Sequence, residues 1–447
     1  MRSIPLLLAA ASLVPAGVAA QTLSVDEAVR LALASNPEVM AASARAGAAT
    51  AKADQAGGHQ WPRLSLMEMF TYTDSPADVF ALQLNQRRFD FGEFAMSDPN
   101  NPDYFENWLT RFEIEVPIYT GAELGTSIDQ AELAADAGDL DLDHARQRVA
   151  FEAVSAWVDL ASAREQVDVL RAARGTTDRH LELARQYAAQ GMIVNAEVLR
   201  AEVYLAEVDE MLVRAETGAA LAEAALNFRL GTAQSTPREL APMPPSPPVP
   251  GELDDWIQAA IDNRSDLAAA RYRLEAGQLE ERKAKSGLRP EVGVVGRYDL
   301  YDDTIFGSNG HNGTVMAVAK FSLSLGGSEA ARVEAARLEA AAFAHDLTRF
   351  EDGVRLEVRQ AWQELATSRA RLATAEHSVA AARESLRITE TRFREGLDRM
   401  IDLLDAETAL REAQMRETVA RYDVARQTYR LRYVSGRPVI DTVEELR

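Results

Sequence analysis

The chain has 447 residues, no cysteine and a formal net charge of −21 at neutral pH, from 69 acidic against 48 basic side chains. The absence of cysteine excludes disulfides, thiolate metal sites, a cysteine nucleophile and a lipidated N-terminal cysteine. The acidity argues against nucleic acid as a partner, because phosphate binding requires a basic face.

Residues 1–20 carry Arg2, an apolar stretch from Leu6 to Val14 and small residues Val18 and Ala20, the pattern of a secretory signal peptide. No later stretch reaches the roughly 20 continuous apolar residues of a membrane helix. After short N-terminal helices, a strand is expected at about 62–73, where Leu64, Leu66, Phe70 and Tyr72 share a face that Glu68 interrupts. A polar loop rich in Asp, Asn and Pro leads to a second strand at about 108–120, with Phe112, Ile114, Val116 and Ile118 alternating against Arg111, Glu113 and Glu115.

Residues 122–231 then read as a long helical hairpin. Val149, Ala153, Ala156, Trp157, Leu160, Ala163, Val167 and Leu170 fall on one narrow seam at spacings of three and four. No proline interrupts the chain from Ala122 to Tyr187, a run that as unbroken helix would reach about 100 Å. Gly191 marks the reversal into a shorter helix. The proline run from Pro242 to Pro250 makes 232–252 a linker between two repeats, 21–231 and 253–436. The second repeat again begins with short helices, followed by strands at about 290–301 and 314–325 and a long hairpin at 327–436 that turns at Gly396. A tail, 437–447, closes the chain.

The two repeats match at a constant offset: Gly121 with Gly326 (326 − 121 = 205), Trp157 with Trp362, Gly191 with Gly396, and Gly231 with Gly436. Such a period is too long for a solenoid unit and means two copies of one large unit. Pro62 and Pro290 lie 228 apart, so the first strand hairpin is longer by 228 − 205 = 23 residues, assigned to its loop. The fold class expected is mostly α with a small β part, internally duplicated. Four strands cannot close a barrel, and in lipid every strand edge must be paired, so copies must share strands. Three copies give a feasible twelve-stranded barrel, whereas eight strands leave almost no lumen. A soluble four-stranded sheet with helical arms fits the strand pattern as well.

Several segments in order, LSVDEAVRLALASNPEV, WPRLSL, VPIYTGA, GMIVNAEVLRAE, RSDLAAARYRL, RPEVGV, GLDRMIDLLDAETAL and RYVSG, resemble the TolC family of outer membrane efflux proteins over essentially residues 21–440. The resemblance implies a homotrimer in the outer membrane, with a twelve-stranded β-barrel of four strands per protomer continued into the periplasm by an α-helical barrel of coiled-coil hairpins. It also implies a periplasmic adaptor (membrane fusion protein) and an inner-membrane pump as partners, contact with outer membrane lipid, and export of drugs, metals or proteins, type I secretion included. A secreted coiled-coil adaptor without a barrel is the alternative, and the amphipathic strands oppose it. No cofactor and no enzymatic activity are expected.

Asp402 and Asp405, three apart on one helix face after the Gly396 turn, match by resemblance the aspartate rings of a periplasmic gate. An ordinary solvated pair is the other reading of two such aspartates. The first repeat has Glu197 and Arg200 at these positions, an opposite-charge pair. The tyrosine and arginine that help lock the gate in the family correspond to Phe393 and Asp398, with Arg399 adjacent. Gly191, Met192, Gly396 and Leu397 at the two turns are the expected adaptor-docking tips. The six histidines, His59, His144, His180, His311, His345 and His377, are scattered without metal-ligand spacing, so no metal site is expected. His311 reads as a solvated loop residue, and Trp157 and Trp362 as packing between helices.

Overall fold

A computed structural model describes residues 22–96 and 98–440; the signal-peptide segment 1–20 and most of the expected tail, from 441 onward, lie outside them. The long helices are α5 (Glu123–Ala189) and α9 (Ser328–Arg394), 67 residues each, followed by α6 (Asn195–Arg229) and α10 (Met400–Val434), 35 residues each. Both pairs start 205 residues apart (328 − 123 and 400 − 195). Shorter helices α1 (Val25–Ser35) and α2 (Pro37–Gly58) precede the first hairpin, and α7 (Leu253–Asn263) and α8 (Ser265–Ala284) precede the second. The chain divides into two compact units, each built from segments of both repeats.

One unit (42–142 and 265–352) holds the sheet. Its strands β1 (Arg63–Thr73), β2 (Phe105–Thr120), β3 (Glu291–Asp302) and β4 (Gly310–Lys320) lie in that order, all antiparallel. Side chains alternate faces along each strand. Leu66, Phe112, Tyr298 and Gly313 stand in one cross-strand row, and Leu64, Ile114, Gly296 and Val315 in the next on the same face. The opposite face carries two ion pairs, Arg111 with Asp299 through bonds of 2.7 and 2.8 Å, and Arg297 with Glu113. Glu68 stands on the apolar face, where it accepts the Thr110 hydroxyl at 2.5 Å.

Two expectations need adjustment in this unit. β4 ends at Lys320 rather than near 325, because Lys320 pairs with Glu291 and the preceding Pro290 has no N–H to extend the ladder; Phe321 and Leu323 therefore lie beyond the strand. His311 belongs to β4, opposite Leu300, and not to the loop. The long first loop contains α3 (Pro76–Asn85), which starts on a helix-compatible proline, and α4 (Phe91–Met96). Phe80, Phe89 and Phe94 pack there with centroids 5.3–5.5 Å apart. The buried Gln86 Nε2 lies 3.0 Å from three acceptors, Glu106 O, Asn107 Oδ1 and Asp302 O, which share its two N–H groups and fasten the loop to the strand ends.

Below the strands, small residues permit close helix approach: a Cβ on Gly138 of α5 would stand 3.3 Å from Ala49 of α2, and one on Gly277 of α8 3.1 Å from Phe343 of α9. Gly121 (φ +65°) turns β2 toward α5, and a Cβ there would lie 2.8 Å from the Ser286 carbonyl.

The other unit (22–41, 143–264 and 353–440 of the described residues) holds α1, α6, α7, α10 and the later parts of α5 and α9. Trp157 of α5 is fully buried and its indole N–H donates to Leu23 O at 2.9 Å. Trp362, its repeat equivalent, is only half-buried, so the shared position does not carry shared packing. The second repeat instead buries Trp256 of α7, which donates to Pro250 O at 3.0 Å. α6 ends against the α1–α2 junction, where Ser35 Oγ donates to Leu230 O at 2.7 Å and Asn36 Nδ2 to Arg229 O at 2.8 Å. Among the described residues no helix is long and apolar enough to cross a membrane.

Candidate gate at the hairpin tips

Each hairpin reverses by the same hydrogen-bond pattern. Gly191 N donates to Ala188 O at 3.0 Å and Met192 N to Tyr187 O at 2.9 Å; Gly396 N donates to Phe393 O at 3.0 Å and Leu397 N to Arg392 O at 2.9 Å. These are the paired bonds of a helix C-terminus closed by a left-handed residue. The glycines supply that conformation, with φ of +74° and +73°. Beside them Met192, Val194 and Leu397 project exposed apolar surface. The four expected docking residues therefore sit at two equivalent exposed turns.

Behind the turns the two hairpins share an apolar core. Leu181 and Ala184 of α5, Val198 and Ala201 of α6, Phe393 of α9, and Met400, Leu403 and Leu404 of α10 form one buried cluster. Phe393 stacks on Tyr187 with centroids 5.8 Å apart, and the Tyr187 hydroxyl donates to Arg394 O at 3.3 Å. Phe393, at the position matched to the family's locking tyrosine, thus contributes packing between hairpins. Asp398 pairs within its own turn, accepting from Arg392 Nε at 2.9 and 3.0 Å.

Asp402 and Asp405 are on α10, one turn apart, but in unlike states. Asp402 accepts the Arg399 backbone N–H at 3.0 Å and lies 3.5 Å from its guanidinium. It is the carboxylate three positions into the helix that satisfies the N-terminal amide. The backbone bond, then the guanidinium, hold its carboxyl below the usual range. Asp405 is exposed. In α6 the equivalent Glu197 instead pairs with Arg200 at 3.2 Å.

A second polar group at this end escaped the sequence reading: His180 of α5 contacts Glu407 of α10 and approaches Glu390 of α9. The histidines had no informative spacing, because His180 and Glu407 are 227 positions apart. The available signal was the repeat itself, which places Glu390 where the first copy has Arg185 (390 − 185 = 205).

The family model described as outer membrane efflux protein matches residues 28–232 and 256–437. The chain belongs to this family. Membership places it in the outer membrane with a periplasmic extension, among transport channels. The outer membrane efflux protein BepC of Brucella suis is 21% identical over 355 residues, 78% of this chain and 77% of that protein. The alkaline protease secretion protein AprF of Pseudomonas aeruginosa is 23% identical over 305 residues, 65% of this chain and 62% of that one. The crystal structure of the outer membrane protein VceC of Vibrio cholerae superposes with a TM-score of 0.77 at 18% identity, covering 93% of this chain and 97% of that one. The shared fold is the family's strand-bearing part with long helical hairpins.

The tip geometry separates two kinds of substitution. Phe393→Ala should cost about 3–5 kcal/mol through lost burial and the cavity left behind. A Cβ at Gly191 would meet nothing within 4 Å, so Gly191→Ala should cost only the left-handed backbone penalty, about 1–2 kcal/mol. Unfolding midpoints check this; a larger loss for Gly191→Ala than for Phe393→Ala would remove Phe393 from the core of the tip.

Proposed function

We propose that the chain is one protomer of a trimeric conduit that exports solutes through the outer membrane and is gated at the periplasmic hairpin tips. The observation that carries this is the sheet: among the described residues β1 and β4 each have a neighbour on one side only, while one face is apolar and the other bears the Arg111–Asp299 and Arg297–Glu113 pairs. Unpaired edges cannot persist in hydrocarbon, and a barrel with an apolar outside and a polar inside resolves both features. Three protomers supply twelve strands. The protein then works as a passage and not as an enzyme, with drugs, metals or proteins chosen by the inner-membrane pump.

Membrane extracts in mild detergent, weighed by native mass spectrometry, should give a trimer. A homogeneous monomer with intact strand content would overturn the shared barrel.

Around a threefold axis the tips bring together three copies each of Asp402 and Asp405. Because each Asp402 is already balanced by Arg399, the unbalanced negative charge rests on Asp405. Its ring attracts cations over a screening length of about 10 Å at 0.1 M salt. In planar bilayers Asp405→Ala should reduce cation preference and weaken block by a trivalent cation from the periplasmic side, more than Asp402→Ala does. Unchanged selectivity in the double variant removes both residues from the gate.

The exposed Met192 and Leu397 beside the two glycines provide the apolar surface for the adaptor. Met192→Asp with Leu397→Asp should reduce adaptor-dependent export at least tenfold with trimer yield unchanged; undiminished export would place docking elsewhere.

A further inference from the structure

The buried polar cluster behind the tips joins both hairpins. His180 is 5% exposed and Glu407 6%. Imidazole Nδ1 is hydrogen-bonded to Glu407 Oε1, and Nε2 lies 3.6 Å from Glu390 Oε1. Thr177 Oγ1 donates to the other Glu407 oxygen at 3.0 Å. Both ring nitrogens therefore face carboxylate oxygens, and only the protonated ring has two donors to offer them.

Every element packed around the ring contributes. On α10, Arg411 stands one turn beyond Glu407 and donates to the Tyr204 hydroxyl of α6 at 2.8 Å; on α9, Arg394 bonds Glu390. Each carboxylate thus has an arginine on its own helix, and α5 contributes His180 itself to the cluster. A cavity of about 130 Å³, lined in part by Thr177, Tyr204, Glu407 and Arg411, adjoins the cluster and gives water a way to it. Burial pulls the imidazole pKa down, but the hydrogen bond and charge of Glu407, assisted by Glu390, outweigh it and leave His180 raised.

The duplication supplies an internal control. In the first hairpin the positions of Glu390 and Glu407 are held by Arg185 and Glu202, an ion pair at 2.8 Å. The second hairpin has a carboxylate in place of that cation; Arg394 pairs with it, and His180 of the other hairpin lies between it and Glu407. The equivalent of His180 is Ser385, so the exchange is one-sided.

We propose that His180 is a proton-dependent latch between the hairpins at the tip: protonated, it bridges Glu390 and Glu407 and holds α5 against α9 and α10; deprotonated, it leaves both carboxylates without their shared cation and frees the tip to open. This deepens the gate reading and rests on the tips being the narrow end. A base whose folded pKa is raised contributes its full stability below the ordinary value of about 6.5 and loses it as pH rises through the folded value. The latch is therefore closed in acidic periplasm and released as pH rises through the raised imidazole value.

The test uses the full-length protein in planar bilayers, with pH stepped from 6 to 9 on the periplasmic side, alongside thermal unfolding over the same range. Wild-type conductance should rise severalfold with a midpoint above the ordinary imidazole value. His180→Gln should conduct at the high-pH level throughout, and Glu390→Gln should keep the step at a lower midpoint. The difference in melting temperature between wild type and His180→Gln should shrink toward zero as pH rises. A step that persists in His180→Gln, a wild type without a step, or a melting difference independent of pH overturns the latch. If the chain forms no pore the conduit reading fails, and the melting difference still decides the latch.

Discussion

The outer edges of β1 and β4 impose the constraint on which the rest of the molecule depends. Four strands satisfy each other's backbone groups internally, but the N–H and C=O groups along those two edges have no partner within the sheet. Water could satisfy them; hydrocarbon cannot. A chain assigned to the outer membrane by its family must close its sheet with other copies of itself. Whatever spacing the strands take around that ring is passed on to the helices directly continuous with them, since α5 begins three residues after β2 ends. The glycines that bring α5 near α2 and α8 near α9 are the means by which helices next to the sheet pack at that spacing.

The duplication conserves backbone and varies charge. Helix lengths, positive-φ turns and turn hydrogen bonds repeat between the hairpins. The side chains on that common frame do not: Glu197 and Arg200 become Asp402 and Asp405, while Arg185 with Glu202 becomes Glu390 with Glu407. In both substitutions an arginine is lost and a carboxylate gained near the tip of the second hairpin. The first hairpin is electrostatically self-sufficient there, and the second is not. Its carboxylates are met partly by Arg392, Arg394 and Arg399 of the same hairpin, partly by a histidine from the other, and at Asp405 remain exposed.

Periodicity and punctuation made much of this legible in the sequence. The seam from Val149 to Leu170 and the absence of proline announced the long helices, and Gly191 and Gly396 announced their turns. Alternation located the strands to within a few residues, except where pairing overrode it at Phe321 and Leu323. The helices in the first loop were hidden by its polar composition, because they are held by a phenylalanine cluster and by Gln86 reaching into the strand ends, interactions local composition does not reveal. At the candidate site the motif carried Asp402 and Asp405, but the sequence could not say that one caps a helix and the other does not. His180 was missed for a related reason: its partners lie on two other helices, and apart from the exchange of Arg185 for Glu390 between the repeats nothing in the sequence marks that contact.

The position of the polar cluster bears on how sharply a tip of this kind can open. Apolar packing of Phe393 against Tyr187 does not respond to pH, so it sets a constant closing tendency. The His180 contacts add a contribution that does respond, and the adjoining cavity keeps the ring accessible to protons while Thr177 and the surrounding helices keep it from bulk water. In a trimer three such groups act on one opening. If the tips part together, release of a proton at one protomer lowers the cost of opening at the others, and the steepness of the pH response can reach three protons. If each tip parts alone, it stays at one. The slope of the conductance step therefore distinguishes a concerted iris from independent hairpins, with the same channel and the same residues.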